Sequence, residues 1–186
     1  MKLYIKNMVC KRCIAAVEHV MLQHGLDVKS ITLGEVVIDD KYIEEKKERI
    51  KQDLEALGFE WIDDKRERLV EAVKNLIVEL IQDKNNDLSV NLSDYLSQHL
   101  HYEYTTISSL FSEVQGMTIE KYYIAQKIEK VKELLFYDEL SLSEIADRLH
   151  YSSVAHLSNQ FKKVTGMTPS QFKLQKPPIR KALDEL

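Results

Sequence analysis

Between Ser141 and Phe172 the chain reads SLSEIADRLHYSSVAHLSNQFKKVTGMTPSQF, and this stretch restricts the possible folds more than any other. Leu142, Ile145, Ala146 and Leu149 recur at three and four residues, so their side chains share one helix face. Ser141 followed by Glu144 has the spacing of a capping box, which satisfies backbone N–H groups at a helix start. A second apolar series, Leu157, Phe161 and Val164, follows a break at His150-Tyr151-Ser152-Ser153. Two short helices joined by about four residues predict a helix-turn-helix, whose second helix is shaped to enter a DNA major groove. Its outer face would carry Val154, Ala155, Ser158, Asn159, Lys162 and Lys163, small and polar side chains able to approach base edges or phosphates.

The same plan occurs earlier in the chain. Leu92 to Leu96 opens a helix, His101-Tyr102-Glu103 breaks it, and Tyr104 to Val114 follows with Ile107, Leu110 and Phe111 inward. Ile119 to Tyr137 then reads as one long helix with Tyr123, Ile128, Val131, Leu134 and Leu135 apolar. The segment FKKVTGMTPSQF places Phe161, Gly166, Pro169 and Phe172 at a signature spacing, and Gly116 and Tyr122 support the first unit. With these residues, 88–175 resembles the tandem helix-turn-helix domain of the AraC family of bacterial transcription regulators.

That resemblance implies double-stranded DNA as the partner, with RNA polymerase as a further one. It implies base-facing positions at Thr105, Ser108 and Ser109 in the first unit, and at Val154, Ala155, Ser158 and Asn159 in the second. Asn pairs with adenine and Val or Ala touches a thymine methyl, so the second unit suggests A·T-rich readout. Phosphate contacts fall to Lys127, Lys162 and Lys163, with Lys130, Lys132 and Arg148 nearby in the chain, and then to Lys173, Lys176, Arg180 and Lys181 around a tail at 176–186. Lys127 stands where the family usually has Arg, and Ser112 and Glu113 occupy positions that are often basic. His150 stands in a turn where the family usually has Gly, a backbone position that costs other residues more. Positive charge is thin: over 88–186 there are 11 Lys and Arg against 12 Asp and Glu. DNA binding is therefore expected to be modest, salt-sensitive and dominated by the second unit.

Residues 1–64 alternate strand and helix patterns. Leu3 and Ile5 mark a first strand, and Cys13 to His24 reads as a helix with Ile14, Val17, Val20 and Met21 inward. Val28 to Ile38 reads as two strands turning at Gly34; Ile50, Leu54 and Leu57 mark a second helix, and Phe59 to Ile62 a last strand. Gly25 and Gly58 stop the two helices. The order βαββαβ predicts an α+β, ferredoxin-like domain ahead of the all-α half. Met8-x-Cys10-x-x-Cys13 between first strand and first helix resembles the heavy-metal-associated domain of copper chaperones and metal-pumping ATPases, although Asn7 stands where that family commonly has Gly.

Two thiols at a helix start converge on one point, and the helix dipole together with Lys11 and Arg12 favours their anions. Two sulfur ligands suit Cu(I) or another soft ion, whereas Zn(II) normally takes four ligands. Met8 reads as a packing residue, and His19 and His24 as ordinary helix residues.

Residues 65–87 join the two halves. Leu69, Val73, Leu76 and Leu80, flanked by Val70, Ile77 and Ile81, form a wide helical stripe suited to packing or to a dimer seam. Asp83-Lys84-Asn85-Asn86-Asp87 reads as the linker and domain boundary. The longest apolar run is too short to cross a membrane, and the N-terminus has no apolar signal core, so the expected location is the reducing cytoplasm. The readings that follow are a DNA-binding regulator responding to a soft metal at Cys10 and Cys13, and one whose small domain docks a partner such as a metal donor or senses thiol oxidation. A Cys-x-x-Cys oxidoreductase stands last, for want of a thioredoxin-like context, so no enzyme is expected. A monomer and a homodimer both remain open.

Overall fold

The computed structural model describes residues 1–39, 43–175 and Leu183. Packing divides the chain into two units, Met1–Asn75 and Leu76–Leu186. Among the described residues no helix is long and apolar enough to cross a membrane.

The first unit contains β1 (Lys2–Lys6), α1 (Lys11–Gln23), β2 (Val28–Thr32), β3 (Glu35–Ile38), α2 (Ile43–Ala56) and β4 (Glu60–Trp61), followed by the start of α3 (Lys65–Gln82). The strands form one antiparallel sheet in the order β2-β3-β1-β4, with Leu3 opposite Val36 and Ile5 opposite Trp61. Period-two alternation sends Leu3, Ile5, Val36 and Ile38 to one buried face. There they meet Val17, Val20 and Met21 of α1 and Ile50 and Leu54 of α2 in one apolar cluster. Met8 is fully buried in the same cluster, which makes it a packing residue. Leu57 is exposed, because α2 ends at Ala56 and Leu57 falls beyond the periodic face. The hairpin between β2 and β3 turns through Gly34 at φ +76, where an added Cβ would lie 2.1 Å from Nδ2 of Asn75. That amide donates to the Leu33 carbonyl at 3.3 Å, so α3 is keyed to the turn by the absence of a side chain.

The second unit takes up the end of α3, then α4 (Leu92–Leu100), α5 (Tyr104–Gln115), α6 (Ile119–Tyr137), α7 (Leu142–Arg148), α8 (Val154–Thr165) and α9 (Pro169–Leu174). Two similar blocks lie fifty residues apart: Asn91 and Ser141 open them, and Phe111 and Phe161, Gly116 and Gly166, and Thr118 and Thr168 correspond. The correspondence extends to the bonds. Asn91 Oδ1 accepts the Asp94 N–H at 2.8 Å, and Ser141 and Glu144 form the expected capping box, with the Glu144 carboxylate accepting the Ser141 N–H at 2.7 Å. Gly116 and Gly166 end α5 and α8 in the left-handed conformation. Each block also breaks its first helix with a histidine in that conformation, His101 at φ 58 and His150 at φ 52. Val164 is exposed rather than inward; Leu157 and Phe161 carry the inner face of α8.

The stretch 83–87 lies within the second unit, since packing divides the chain inside α3. Asn85 and Asn86 both adopt positive φ and reverse the chain just after α3. Asn86 is buried: its Nδ2 donates to the Leu149 carbonyl at 3.1 Å, and its Oδ1 accepts from the Tyr123 hydroxyl. Arg148 Nε donates to Asn85 Oδ1 at 3.0 Å. The polar composition that reads as a linker is a docked turn whose side chains close the end of α7.

Candidate nucleic-acid interface and thiol pair

α8 presents a continuous polar row. Val154, Ala155, Asn159, Lys162 and Lys163 are exposed and Ser158 is half-buried, while Leu157 and Phe161 hold the opposite face in the core. The Ser153 hydroxyl caps α8 by accepting the His156 N–H at 3.0 Å. Lys162 and Lys163 lie in the last turn, where the helix dipole favours cations. His156 belongs to this row and was not among the expected contacts. It is exposed, its Nδ1 lies 3.0 Å from Ser152 Oγ, and its ring stands edge-on to Tyr151 with centroids 5.3 Å apart. Its spacing of three and seven residues from Asn159 and Lys163 is the signal that points to it.

The matching face of α5 is chemically different. Thr105 and Ser109 are exposed and Ser108 half-buried, but beside them lie Thr106, Leu110 and Glu113, around a shallow depression of about 420 Å³. Lys and Arg are absent from α5. Hydroxyls there can meet bases or phosphates, and nothing on that helix supplies positive charge.

Lys127 is not on either face. It lies buried on α6, its ammonium 3.8 Å from the centroid of Tyr151 and 5.6 Å from that of Tyr123. Lys130 and Lys132 are buried too, paired with Glu133 at 3.3 Å and Glu129 at 2.6 Å. The reason is the position of α6: every residue from Gln126 to Lys132 is buried, so no solvent face is left for these cations. Arg148 is held by Asn85, and Lys173 pairs with Asp138. Lys176, Arg180 and Lys181 lie outside the described residues.

Burial brings the Lys127 ammonium down from 10.5 to about 8. The folded state then binds that proton less well than the unfolded chain between pH 8 and 10.5, so Lys127 adds stability as pH rises through this window. Wild type is expected to gain on the order of 1–2 kcal/mol over Lys127→Met between pH 8 and 10, because Met fills the site without titrating. Denaturant unfolding at both pH values measures the difference, and parallel pH profiles for the two proteins would refute it.

The thiol pair lies where β1 leads into α1. Cys10 is the N-cap residue, extended at φ −159, and α1 begins at Lys11, two residues before the expected start. The two sulfurs are 3.4 Å apart and both residues are half-buried. Burial raises the Cys10 thiol, but the backbone and side chain of Cys13, the backbone of Arg12 and the Arg12 charge outweigh it and leave Cys10 lowered. Burial and the neighbouring sulfur raise Cys13. The two thiols of the pair are thus shifted in opposite directions. Among the described residues no group of three or more His, Cys, Asp or Glu side chains is placed to hold a metal.

Residues 96–175 match the helix-turn-helix domain family. The uncharacterised HTH-type transcriptional regulator YtdP of Bacillus subtilis is 28% identical over 83 residues, which is 45% of this chain and 11% of that protein. The xylose operon regulatory protein of Haemophilus influenzae is 30% identical over 76 residues, 41% of this chain and 20% of its own length. This chain therefore spans a small part of the curated relatives it matches. The C-terminal domain of AraT, a response regulator from Geobacillus stearothermophilus, superposes with a TM-score of 0.51 at 21% identity, over 63% of this chain and 97% of that domain. The helical half of the chain is similar to the helix-turn-helix domain family and shares the fold of the AraT C-terminal domain.

Proposed function

We propose that this chain is a sequence-specific, DNA-binding transcription regulator in which α8 makes the principal contacts. The observation that carries the reading is the exposed row of His156, Asn159, Lys162 and Lys163 on a helix whose other face is locked into the core. α5 would dock in a supporting role through Thr105, Ser108 and Ser109.

The first unit is proposed to be a ferredoxin-like module of the heavy-metal-associated type. Its element order and β2-β3-β1-β4 sheet support this, as does a Cys-x-x-Cys pair at the start of α1. Cys10 and Cys13 would hold a soft monovalent ion such as Cu(I), for which two sulfurs suffice; they do not fill a four-ligand zinc site. The bound ion would supply charge and a fixed sulfur geometry in place of a thiol proton. A second reading, thiol oxidation sensing, is favoured by the two sulfurs standing 3.4 Å apart, close enough for a disulfide to form between them.

One experiment tests both parts. DNA selected from a random library by the full chain is titrated at several salt concentrations, with and without Cu(I), for wild type and four variants. Asn159→Ala is expected to cost about 1–3 kcal/mol and relax preference at one base pair. Lys163→Ala is expected to weaken all sequences alike and lower the salt slope by about 1. Unchanged affinity in both, with Ser109→Arg weakening binding, would remove α8 from the leading role. Cys10→Ser/Cys13→Ser is expected to bind DNA as wild type does without Cu(I) and to lose any response to it. If wild type itself does not respond, direct metal regulation fails while DNA recognition stands.

A further inference from the structure

Three polar residues of α3 lie at spacings of three and four, on one helix face, and all of them act within the first unit. Arg68 Nε donates to the Ile62 carbonyl at 3.3 Å, with its guanidinium 4.7 Å from the Tyr4 ring centroid. Asn75 donates to the Leu33 carbonyl. Between them Glu71 accepts the backbone N–H of Asn7 at 3.0 Å. Glu71 is only 4% exposed and lies 3.5 Å from the ammonium of Lys74, itself 6% exposed.

A buried carboxylate is an expensive acceptor for one amide. Apolar replacements of buried ion pairs are often neutral or stabilising, so stability alone does not account for Glu71. Its target does. Asn7 sits at φ 70, the left-handed region, which asparagine adopts more readily than other residues with a side chain. Two bonds fix it: the amide to Glu71, and its Nδ2 donating to the Gly58 carbonyl at 3.0 Å. Asn7 is the hinge between β1 and the segment that delivers Met8 into the core and Cys10 to the start of α1.

We infer that Glu71 is the positioning residue of the thiol loop, and that through Asn7 it couples the state of Cys10 and Cys13 to the docking of α3. The sulfurs stand at 3.4 Å, a hydrogen-bonding separation. Any bridging event moves them: a disulfide draws sulfurs to about 2.0 Å, and a cation seated between thiolates parts them. The Met8 side chain is anchored in the core, so the backbone of the loop pivots about it, and a displacement at Cys10 is passed to Asn7 and the Asn7–Glu71 bond. The coupling rests on the proposed role of the thiol pair as a ligand or redox site, but the positioning role does not.

The test uses the full chain, Ag(I) as a soft, redox-inert probe, and Glu71→Leu beside Glu71→Gln, whose amide oxygen can still accept the Asn7 N–H. Without Ag(I), Glu71→Leu is expected to alkylate at Cys10 with iodoacetamide at a rate at least threefold different from wild type, because the loop that places the sulfur at the start of α1 is loosened. Glu71→Gln is expected to restore most of the wild-type rate. With one equivalent of Ag(I), amide exchange at Asn7 and over 68–75 in wild type is expected to change at least threefold, and in Glu71→Leu to stay where it was. Equal alkylation rates in wild type and Glu71→Leu would overturn the positioning role. An equal Ag(I) response in those two proteins, or none in a wild type shown by native mass spectrometry to hold Ag(I), would overturn the coupling. Failure of wild type to hold Ag(I) removes the soft-metal reading and its coupling together, and leaves the alkylation comparison to decide the position of Glu71.

Discussion

Phe161→Ala is expected to destabilise the C-terminal unit by about 3–5 kcal/mol, the range for emptying a buried phenylalanine site. Phe161 is fully buried and stands edge-on to Phe172 with ring centroids 5.5 Å apart. It shares one cluster with Ile128, Val131, Ile145, Leu149 and Leu157, so it joins α6, α7, α8 and α9 at a single point. Closure of the cavity would need α8 to shift on α6, whose residues from Gln126 to Lys132 are all buried. The substitution leaves Asn159, Lys162 and Lys163 untouched, so any loss of DNA binding would come through the fold. Urea unfolding measures it: a midpoint displaced by less than the equivalent of about 1 kcal/mol would mean that Phe161 is not the keystone of this cluster.

Asn86→Ala is expected to cost about 2–4 kcal/mol, the second-largest effect. The substitution removes a donor from the Leu149 carbonyl and an acceptor from the Tyr123 hydroxyl in a buried setting, where each orphaned group costs about 1–3 kcal/mol. It also places alanine at φ 63, a conformation asparagine tolerates better. Asn86→Gly separates the two contributions by relieving the backbone while losing the same bonds. It is expected to recover about 1 kcal/mol and no more. Thermal unfolding of the three proteins gives the order wild type, glycine, alanine. Full recovery in Asn86→Gly would show that the turn matters only for its backbone.

Much of this architecture can be read locally, and the exceptions share a cause. Gly25, Gly34 and Gly58 punctuate the first unit where turns require positive φ, and Ser141 with Glu144 marks the start of α7 because capping is decided within four residues. The inner residues of α8 follow from helical periodicity alone. Lys127, Lys130 and Lys132 do not, since a helix surrounded by its own domain has no solvent face and its charges give no local sign of it. Lys127 is held by Tyr151, which lies 24 positions onward in the chain. Asn85 and Asn86 have the composition of a linker, and their partners Arg148, Leu149 and Tyr123 are far away in sequence. The solvent exposure of the α8 row follows from the same periodicity, and His156 falls on that row by its spacing. The Glu71–Asn7 bond joins residues 64 apart, and nothing near either residue announces it.

The interior place of Lys127, Lys130 and Lys132 also bears on how fast this domain can find a partner. Long-range attraction depends on charge that solvent can see, and three of the cations that a count assigns to the helical half are spent inside α6. Among the described residues Lys162 and Lys163 on α8 are exposed, with Lys121 and Lys173 elsewhere, and the helical half carries 11 Lys and Arg against 12 Asp and Glu. Association without steering proceeds at about 10⁵–10⁶ M⁻¹s⁻¹. Tight binding would therefore have to come from slow departure rather than rapid arrival, and discrimination between sites would be expressed in residence time.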